Sequence, residues 1–326
     1  MTSRERVLCA LRGEQPDRTP IYGWVSSNLK EEITERFGSV AAFEDHYEFD
    51  AAHIFGAPSP MDGKALGERY EDLTPDVLLE EVPFLPASEQ DWSRVKRELE
   101  HHRKRERFCY LQTPGFFEFF NGLFGIENQL MYLLIYREEI AALYAKQADW
   151  LIGFVDHALE LGVDCIHISD DWGSQRALMF SPDLWQELIK PNLKRVVDHV
   201  HAKGGLVSLH SDGCIHAVTD DLAELGFNMV HPWQESAGMS YDLYLEKYRD
   251  RFAILGGVCV QTALGLLPRD QLEAEIRRVF HLLKGERWIC CTTHFVQKHC
   301  SMEDLTFAFD LIYKLAREKK DSFRAP

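Results

Sequence analysis

The chain of 326 residues is 45% hydrophobic and 27% charged, a composition typical of a globular protein with a large core. Its 52 acidic and 36 basic residues give a formal net charge of −16, which disfavours nucleic acids and anionic membrane surfaces as partners. No apolar run reaches the roughly 20 residues that cross a bilayer, and residues 1–6 lack the apolar core of a signal peptide, so we expect a cytoplasmic protein.

Eight short runs of β-branched and apolar residues predict strands along the chain. In chain order they are residues 20–25, 51–55, 107–113, 165–169, 206–210, 228–231, 252–256 and 288–291. The segments between them carry apolar residues three and four positions apart, which predicts helices. Ser181-Pro182 indicates the start of one helix and Gly204-Gly205 its end. Regular alternation of strands and helices implies a parallel sheet.

Eight β/α units predict one closed (β/α)8 barrel, a TIM barrel of the α/β class. A doubly wound sheet is less favoured, because no Gly-x-Gly-x-x-Gly turn is present. We interpret residues 1–326 as a single domain, since no Pro-, Gly- or Ser-rich linker lies near the middle of the chain. The residues before the first strand predict an N-terminal helical extension, and residues 58–86 predict an insertion after the second strand.

The carboxyl ends of the strands form the active site in such barrels, and five of the eight predicted ends carry His, Asp or Cys. His210 and Asp212 end the fifth strand two positions apart, so their side chains lie on the same side of the backbone. We expect both to face the barrel mouth. The alternative is turn chemistry, because an Asp-Gly pair is common after a strand.

A metal site is predicted from residues at three of these ends. Cys259 follows the seventh strand and His294 the eighth, and a thiolate with two imidazoles suits zinc. We therefore predict His210, Cys259 and His294 as ligands that leave one position open, with Asp212 or Cys214 as a further ligand. The eight cysteines are expected to be reduced in the cytoplasm, and the alternative for Cys259 is packing in the core.

Asp170 and Asp171 end the fourth strand beside Trp172, and neighbouring carboxylates against an aromatic face predict a general acid or base. The alternative for one of the two is to cap the next helix. Five phenylalanines between Phe116 and Phe124 favour helix packing, or else a lid or a site for an aromatic substrate. Substrate contacts are predicted for further residues at the strand ends: Tyr22, Trp24, Gln112, Trp172, Arg176, His231, Trp233 and Gln234.

Over nearly its whole length the chain resembles the uroporphyrinogen decarboxylase superfamily. The matching motifs are Arg4-Glu5-Arg6-Val7, Pro16-Asp17-Arg18-Thr19-Pro20, Asp170-Asp171-Trp172-Gly173, Ser181-Pro182, Pro191, His210-Ser211-Asp212-Gly213, Pro232-Trp233-Gln234 and Gly256-Gly257. The resemblance implies a (β/α)8 barrel, in agreement with the strand pattern. The superfamily also contains zinc- and corrinoid-dependent methyltransferases, which act on small methylated compounds.

The resemblance is closer to the methyltransferases than to the true decarboxylases. The latter carry an Arg-Gln-Ala-Gly-Arg-Tyr loop after the first strand, where this chain has Tyr22-Gly23-Trp24-Val25-Ser26-Ser27. The substrate of the decarboxylases carries eight carboxylates and needs cationic partners. The strand-end loops of this chain contain almost no Arg or Lys, and Arg176 is the exception.

In the methyltransferases a His-x-Cys pair after the fifth strand and a Cys after the eighth bind zinc. The resemblance assigns those positions to His210, Asp212 and His294. Harder ligands than thiolates make the metal more Lewis-acidic, so we expect it to polarise an ether or hydroxyl oxygen instead of activating a thiol.

These inferences predict a metal-assisted methyltransferase that moves a methyl group between a small substrate, such as a methoxylated aromatic compound, and a corrinoid protein. Asp171 is the expected proton donor, with Asp170 and Asp212 as further candidate catalytic residues. One alternative is a cofactor-free decarboxylase of a tetrapyrrole or another carboxylated substrate. Another is a non-enzymatic protein that binds corrinoid or tetrapyrrole. A homodimer is compatible with the sequence, which does not decide the oligomeric state.

Overall fold

A parallel β-sheet is the central feature of the computed structural model, which describes residues 1–69 and 73–319. Its strands lie in sequence order: β1 (Ala51–Ile54), β2 (Phe108–Pro114), β3 (Cys165–Ser169), β4 (Leu206–His210), β5 (Met229–His231), β6 (Ala253–Val258) and β7 (Trp288–Thr292). The pairs β2–β3, β3–β4, β5–β6 and β6–β7 are parallel. Because most strand residues are buried, the strands are continuous apolar runs. The predicted α/β fold with a parallel sheet is confirmed.

Helices separate most of the strands. Among the described residues they are α1 (Ser3–Leu11), α2 (Lys30–Phe37), α3 (Val40–His46), α4 (Gly63–Arg69), α5 (Pro75–Glu81), α6 (Ser93–Arg103), α7 (Phe117–Phe124), α8 (Ile126–Ile135), α9 (Arg137–Glu160), α10 (Pro182–Leu184), α11 (Lys190–Ala202), α12 (Thr219–Leu225), α13 (Tyr241–Leu243), α14 (Arg269–Leu283) and α15 (Met302–Arg317). Ser181 caps α10 by accepting the Leu184 N–H, and Gly204 follows α11 with φ +74°, as the sequence predicted. No helix in residues 1–69 and 73–319 is both long and apolar enough to cross a membrane.

Two compact units make up the chain. The first contains residues 1–52, 102–109 and those from Asn228 onward, and the second contains residues 53–101 and 110–227. The single domain over residues 1–326 stays a prediction, and residues 320–326 of it lie outside the described part. Residues 70–72 of the predicted insertion at 58–86 also lie outside it, while α4 and α5 occupy much of the rest.

The predicted first strand, residues 20–25, is a single bridge and not a strand. Ile21 bridges to Cys290 of β7 in parallel, with the Tyr22 N–H donating to the Cys290 carbonyl at 2.8 Å. The ladder ends there because the Val25 N–H turns back to the Gly23 carbonyl at 3.0 Å. The Trp24 N–H donates to the Thr292 side chain and not to a backbone carbonyl. A closed barrel of eight strands therefore stays a prediction.

A buried network of ion pairs between side chains accounts for the N-terminal motifs that resemble the family. Asp50 is completely buried, and its carboxylate accepts hydrogen bonds from Arg6 Nη1 and Arg18 Nη1, both at 2.6 Å, and from the Ile21 N–H at 2.8 Å. Asp17 binds the other side of the Arg6 guanidinium at 2.6 and 2.9 Å. These charged residues hold the segment around Ile21 in place, so their role in the first unit is structural.

Candidate active site

The ends of β3 and β4 bring Asp171, His210 and Asp212 together in the second unit. The Asp212 N–H donates to Asp171 Oδ1 at 2.7 Å, and His210 Nε2 lies 3.6 Å from the same oxygen. The two loops touch through Gly173 and Gly213, where a Cβ on Gly173 would lie 2.4 Å from the Asp212 carbonyl. Glycine is needed because the backbones approach each other directly. Asp171 therefore orients the loop that carries Asp212.

Burial changes the acidity of this group. It raises the pKa of Asp212 to about 6; His210 opposes the shift and the negative charge of Asp171 adds to it. The His210 side chain is 6% exposed and the Asp171 side chain 36% exposed. His210 and Asp212 thus lie in a partly desolvated environment, where a cation would favour the ionised form of Asp212.

The predicted metal ligands are divided between the two units. His210 ends β4 and Asp212 follows it in the second unit, whereas His294 follows β7 in the first. The His294 ring packs against Trp24 and Phe295, with ring centroids 5.8 and 5.2 Å apart. Two imidazoles and one carboxylate are a donor set that zinc accepts.

Cys259, the fourth predicted ligand, follows β6 in the first unit. Its Sγ is 3.7 Å from Ser236 Oγ, and its side chain is half-buried. Cys291, at the end of β7, is completely buried, and burial raises the pKa of its thiol well above the ordinary value. A protonated, buried thiol of this kind is core packing.

Asp170 is completely buried and binds the start of α7. Its Oδ2 accepts the Phe116 N–H at 2.9 Å and its Oδ1 accepts the Glu118 N–H at 2.7 Å. Burial raises its pKa to about 7, against the lowering effect of these two N–H groups. A Cβ on Gly115 would lie 2.4 Å from the Asp170 side chain, so this contact also requires glycine. These contacts make Asp170 a cap for α7, which lies before it in the chain, whereas the sequence suggested a cap for the helix that follows.

The variant Asp170→Asn is expected to lower the free energy of unfolding by about 1–3 kcal/mol. The side-chain NH2 group of the new asparagine must face one of the two backbone N–H donors, so one hydrogen bond is lost. Urea unfolding followed by circular dichroism measures this loss. Asp183→Asn is the control, since Asp183 lies in the exposed first turn of α10 and should change stability by less than about 0.5 kcal/mol. Equal stability of the Asp170→Asn variant and the wild type would contradict the capping role.

Two of the predicted substrate contacts are core residues. Trp172 is completely buried and packs edge-on against Trp185, with ring centroids 5.4 Å apart. Trp233 is 1% exposed, packs on aromatic residues that include Tyr244, and donates its Nε1–H to the Ser240 carbonyl at 3.1 Å. Both rings are covered in this structure, and their contact with a substrate stays a prediction.

The other predicted substrate contacts differ in their burial and in their neighbours. His231 is completely buried and stacks on Trp24 at 4.4 Å. Gln234 Nε2 donates to Gln261 Oε1 at 2.5 Å, and Tyr22 packs edge-on against Phe49. Two further predicted residues have very different exposure: Arg176 is exposed in its loop, and Gln112 of β2 lines a cavity.

That cavity, of about 440 Å³ in the second unit, also contains a residue that sequence reasoning missed. Glu118 lies in the first turn of α7 and accepts a hydrogen bond from Ser169 Oγ at 2.7 Å. Burial raises the pKa of Glu118 to about 7, and repulsion from Asp171 adds to this. The available signal was a single carboxylate within the run of phenylalanines from Phe116 to Phe124.

The fold and the residues at its strand ends define an α/β protein with candidate metal and acid–base chemistry. Residues 121–315, more than half of the chain, match the family described as uroporphyrinogen decarboxylase (URO-D). The chain belongs to this family. No curated protein sequence matches it.

Three solved structures align with this chain, and the first of them shows the same fold. A methyltransferase from Methanosarcina mazei aligns over 100% of both chains with a TM-score of 0.72 and 17% sequence identity. A B12-independent methionine synthase from Shewanella sp. W3-18-1 aligns over 70% of this chain and 66% of its own, with a TM-score of 0.44 and 12% identity. A sugar phosphate isomerase/epimerase from Parabacteroides distasonis aligns over 92% and 96%, with a TM-score of 0.47 and 10% identity.

Proposed function

We propose that the protein is a metal-assisted methyltransferase that moves a methyl group between a small methoxylated substrate and a corrinoid carried by a partner protein. The observation that carries the proposal is the contact between the ends of β3 and β4, where the Asp212 N–H donates to Asp171 Oδ1 at 2.7 Å and His210 Nε2 lies 3.6 Å from the same oxygen. Family membership and the description of the Methanosarcina structure as a methyltransferase support the reaction class.

The predicted donor set of His210, Asp212 and His294 fits zinc, because two imidazoles and a carboxylate are found in catalytic sites that keep one position open. These three residues would hold the ion, and its chemistry there would be that of a Lewis acid that polarises an ether oxygen. Asp171 orients the Asp212 loop through the 2.7 Å hydrogen bond, as residues behind metal ligands commonly do. The roles of Cys259 as a ligand and of Asp171 as proton donor stay predictions.

A cofactor-free decarboxylase is the second candidate, because the family is described by that reaction. Protons would then be handled by carboxyl groups such as Asp171 and Asp212, which lie together. A tetrapyrrole with several carboxylates needs cationic partners. Among the described residues that line the cavity of the second unit there is neither Lys nor Arg, which favours methyl transfer over this candidate.

The two candidates are separated by parallel anaerobic assays on the zinc-loaded protein. We expect cob(I)alamin, used in place of the partner's corrinoid, to be methylated by a methoxylated aromatic compound, with release of one phenol per methyl group. Loss of the cobalt(I) absorbance and chromatography of the phenol measure both products. Carbon dioxide release from uroporphyrinogen without cobalamin, together with no methylation, would overturn the proposal. A static light-scattering measurement tests the homodimer separately.

A further inference from the structure

The cavity of the second unit has the size and the walls of a small-molecule site. Its volume is about 440 Å³, within the range of about 300–1,000 Å³ that ligand pockets occupy. Apolar side chains of Phe55, Met61, Phe119 and Leu123 line it. Such walls stabilise a flat apolar group by removing its surface from water.

The polar groups of the cavity are few and converge on one side of the sheet. Gln112 of β2, Ser169 of β3 and Glu118 of α7 all line it, and Ser169 Oγ donates to Glu118 Oε2 at 2.7 Å. Since no Lys or Arg is among the described lining residues, a ligand with a carboxylate would meet only the acid of Glu118. The cavity therefore suits a neutral ring that carries an oxygen acceptor.

Glu118 is held firmly in this wall. The N–H of Glu118 donates to Asp170, which is completely buried, so the first turn of α7 is anchored to the end of β3. The charged and titratable groups that act on the Glu118 carboxyl are Asp170, Asp171 and Asp212, all of them acids. Burial and this acidic environment raise its pKa to about 7. A large share of Glu118 is then protonated at neutral pH and can donate a proton.

Asp171 is less suited to this task. Its side chain is 36% exposed, and its Oδ1 already accepts the Asp212 N–H. The Asp171 carboxylate thus has an orienting contact to the backbone, whereas the Glu118 carboxyl, beside Ser169, lines an open cavity with apolar walls that a substrate can enter.

We propose that this cavity binds the ring of a neutral methoxylated aromatic substrate and that the Glu118 carboxyl donates a proton to the oxygen that leaves. The inference rests on the proposed methyl transfer. The O–CH3 bond breaks, its electron pair stays on the oxygen, and that oxygen takes the Glu118 proton. The carbon forms its new bond with the electron pair of the reduced corrinoid acceptor. Glu118 is left as a carboxylate and regains a proton from water.

The first test is the kinetics of Glu118→Gln, because glutamine keeps the size of the side chain but has no acidic proton. We expect kcat to fall at least about 100-fold, the lower end of general-acid contributions, with little change in KM. Wild-type kcat should decline as the pH rises through about 7, and the variant should lose this decline. Glu118→Asp should recover part of the rate. Glu127→Gln, an exposed change on α8, should match the wild type.

The second test measures binding without turnover, by calorimetry with 1,2-dimethoxybenzene at pH values on either side of the Glu118 pKa of about 7. We expect tighter binding to the wild type at the lower pH, since only the protonated carboxyl donates to the ether oxygen. Affinity should be independent of pH in Glu118→Gln and lost in Leu123→Trp, which fills the cavity.

The two tests distinguish the two possible failures. Binding with this pH dependence but no methylation of cob(I)alamin would refute the proposed function and leave the cavity and Glu118 assignment standing. Normal binding by Leu123→Trp, or wild-type kcat and pH dependence in Glu118→Gln, would overturn the inference even if methyl transfer occurs.

Discussion

The variant His210→Ala is expected to lose bound zinc and, with it, methyl transfer, while the protein stays folded. His210 is one of the three proposed ligands, so its removal leaves two donors. Loss of a residue behind a metal ligand costs about 10–100-fold in metal affinity, and loss of a ligand itself should cost more than about 100-fold. Metal analysis after zinc loading and gel filtration measures the loss.

Matched variants make this experiment specific. Asp212→Ala and His294→Ala should lose the metal as His210→Ala does, because they are the other two proposed ligands. His216→Ala is the control, since His216 is exposed and lies six positions further along the chain. Cys259→Ser tests the remaining predicted ligand, and loss of the metal in this variant would add Cys259 to the set. Equal metal content in all variants, or none in the loaded wild type, would remove the metal from the proposal.

The variant Asp50→Asn should lower the free energy of unfolding by about 3–5 kcal/mol, the cost of removing one partner from a buried ion pair. Two guanidinium groups, those of Arg6 and Arg18, would lose their shared buried countercharge. One oxygen of Asp50 also accepts the Ile21 N–H, so the bridge from Ile21 to β7 should weaken as well. Urea unfolding followed by tryptophan fluorescence measures the loss.

Asp198→Ala is the control for this loss. Asp198 pairs with Lys194 on the exposed face of α11, where both side chains are about 60% exposed. An exposed pair one helical turn apart contributes about 0.3–0.5 kcal/mol. If Asp50→Asn unfolds at the same urea concentration as this control, the ion network does not carry the stability assigned to it.

The stability of the N-terminal motifs and the chemistry of the strand ends are therefore separate parts of the family resemblance. Arg6, Asp17 and Arg18 match family motifs, yet their contacts are with one another and with Asp50. In the sequence these residues are distant from every predicted catalytic acid and metal ligand. His210 and Asp212 match a second motif and lie beside Asp171 at the ends of β3 and β4. A match to a motif alone does not separate these two roles; the contacts do.

The strand positions were largely predictable from the sequence. Seven of the eight predicted runs overlap observed strands, because continuous apolar runs between helical segments are typical of buried parallel strands. The exception, residues 20–25, forms one bridge. Its backbone turns at Gly23, and the Trp24 N–H finds a side-chain acceptor in Thr292, a partner 268 positions away that no local pattern reveals.

The roles of individual side chains depended on tertiary structure. The sequence alone indicated that His210, Asp212, Asp170 and Asp171 follow strands, since alternation and strand length are local properties. It did not decide that Asp170 binds the backbone of α7 and that Glu118 faces a cavity. Burial and hydrogen-bond partners arise from residues distant in the chain, and they determine which carboxyl group is a helix cap and which can hold a proton.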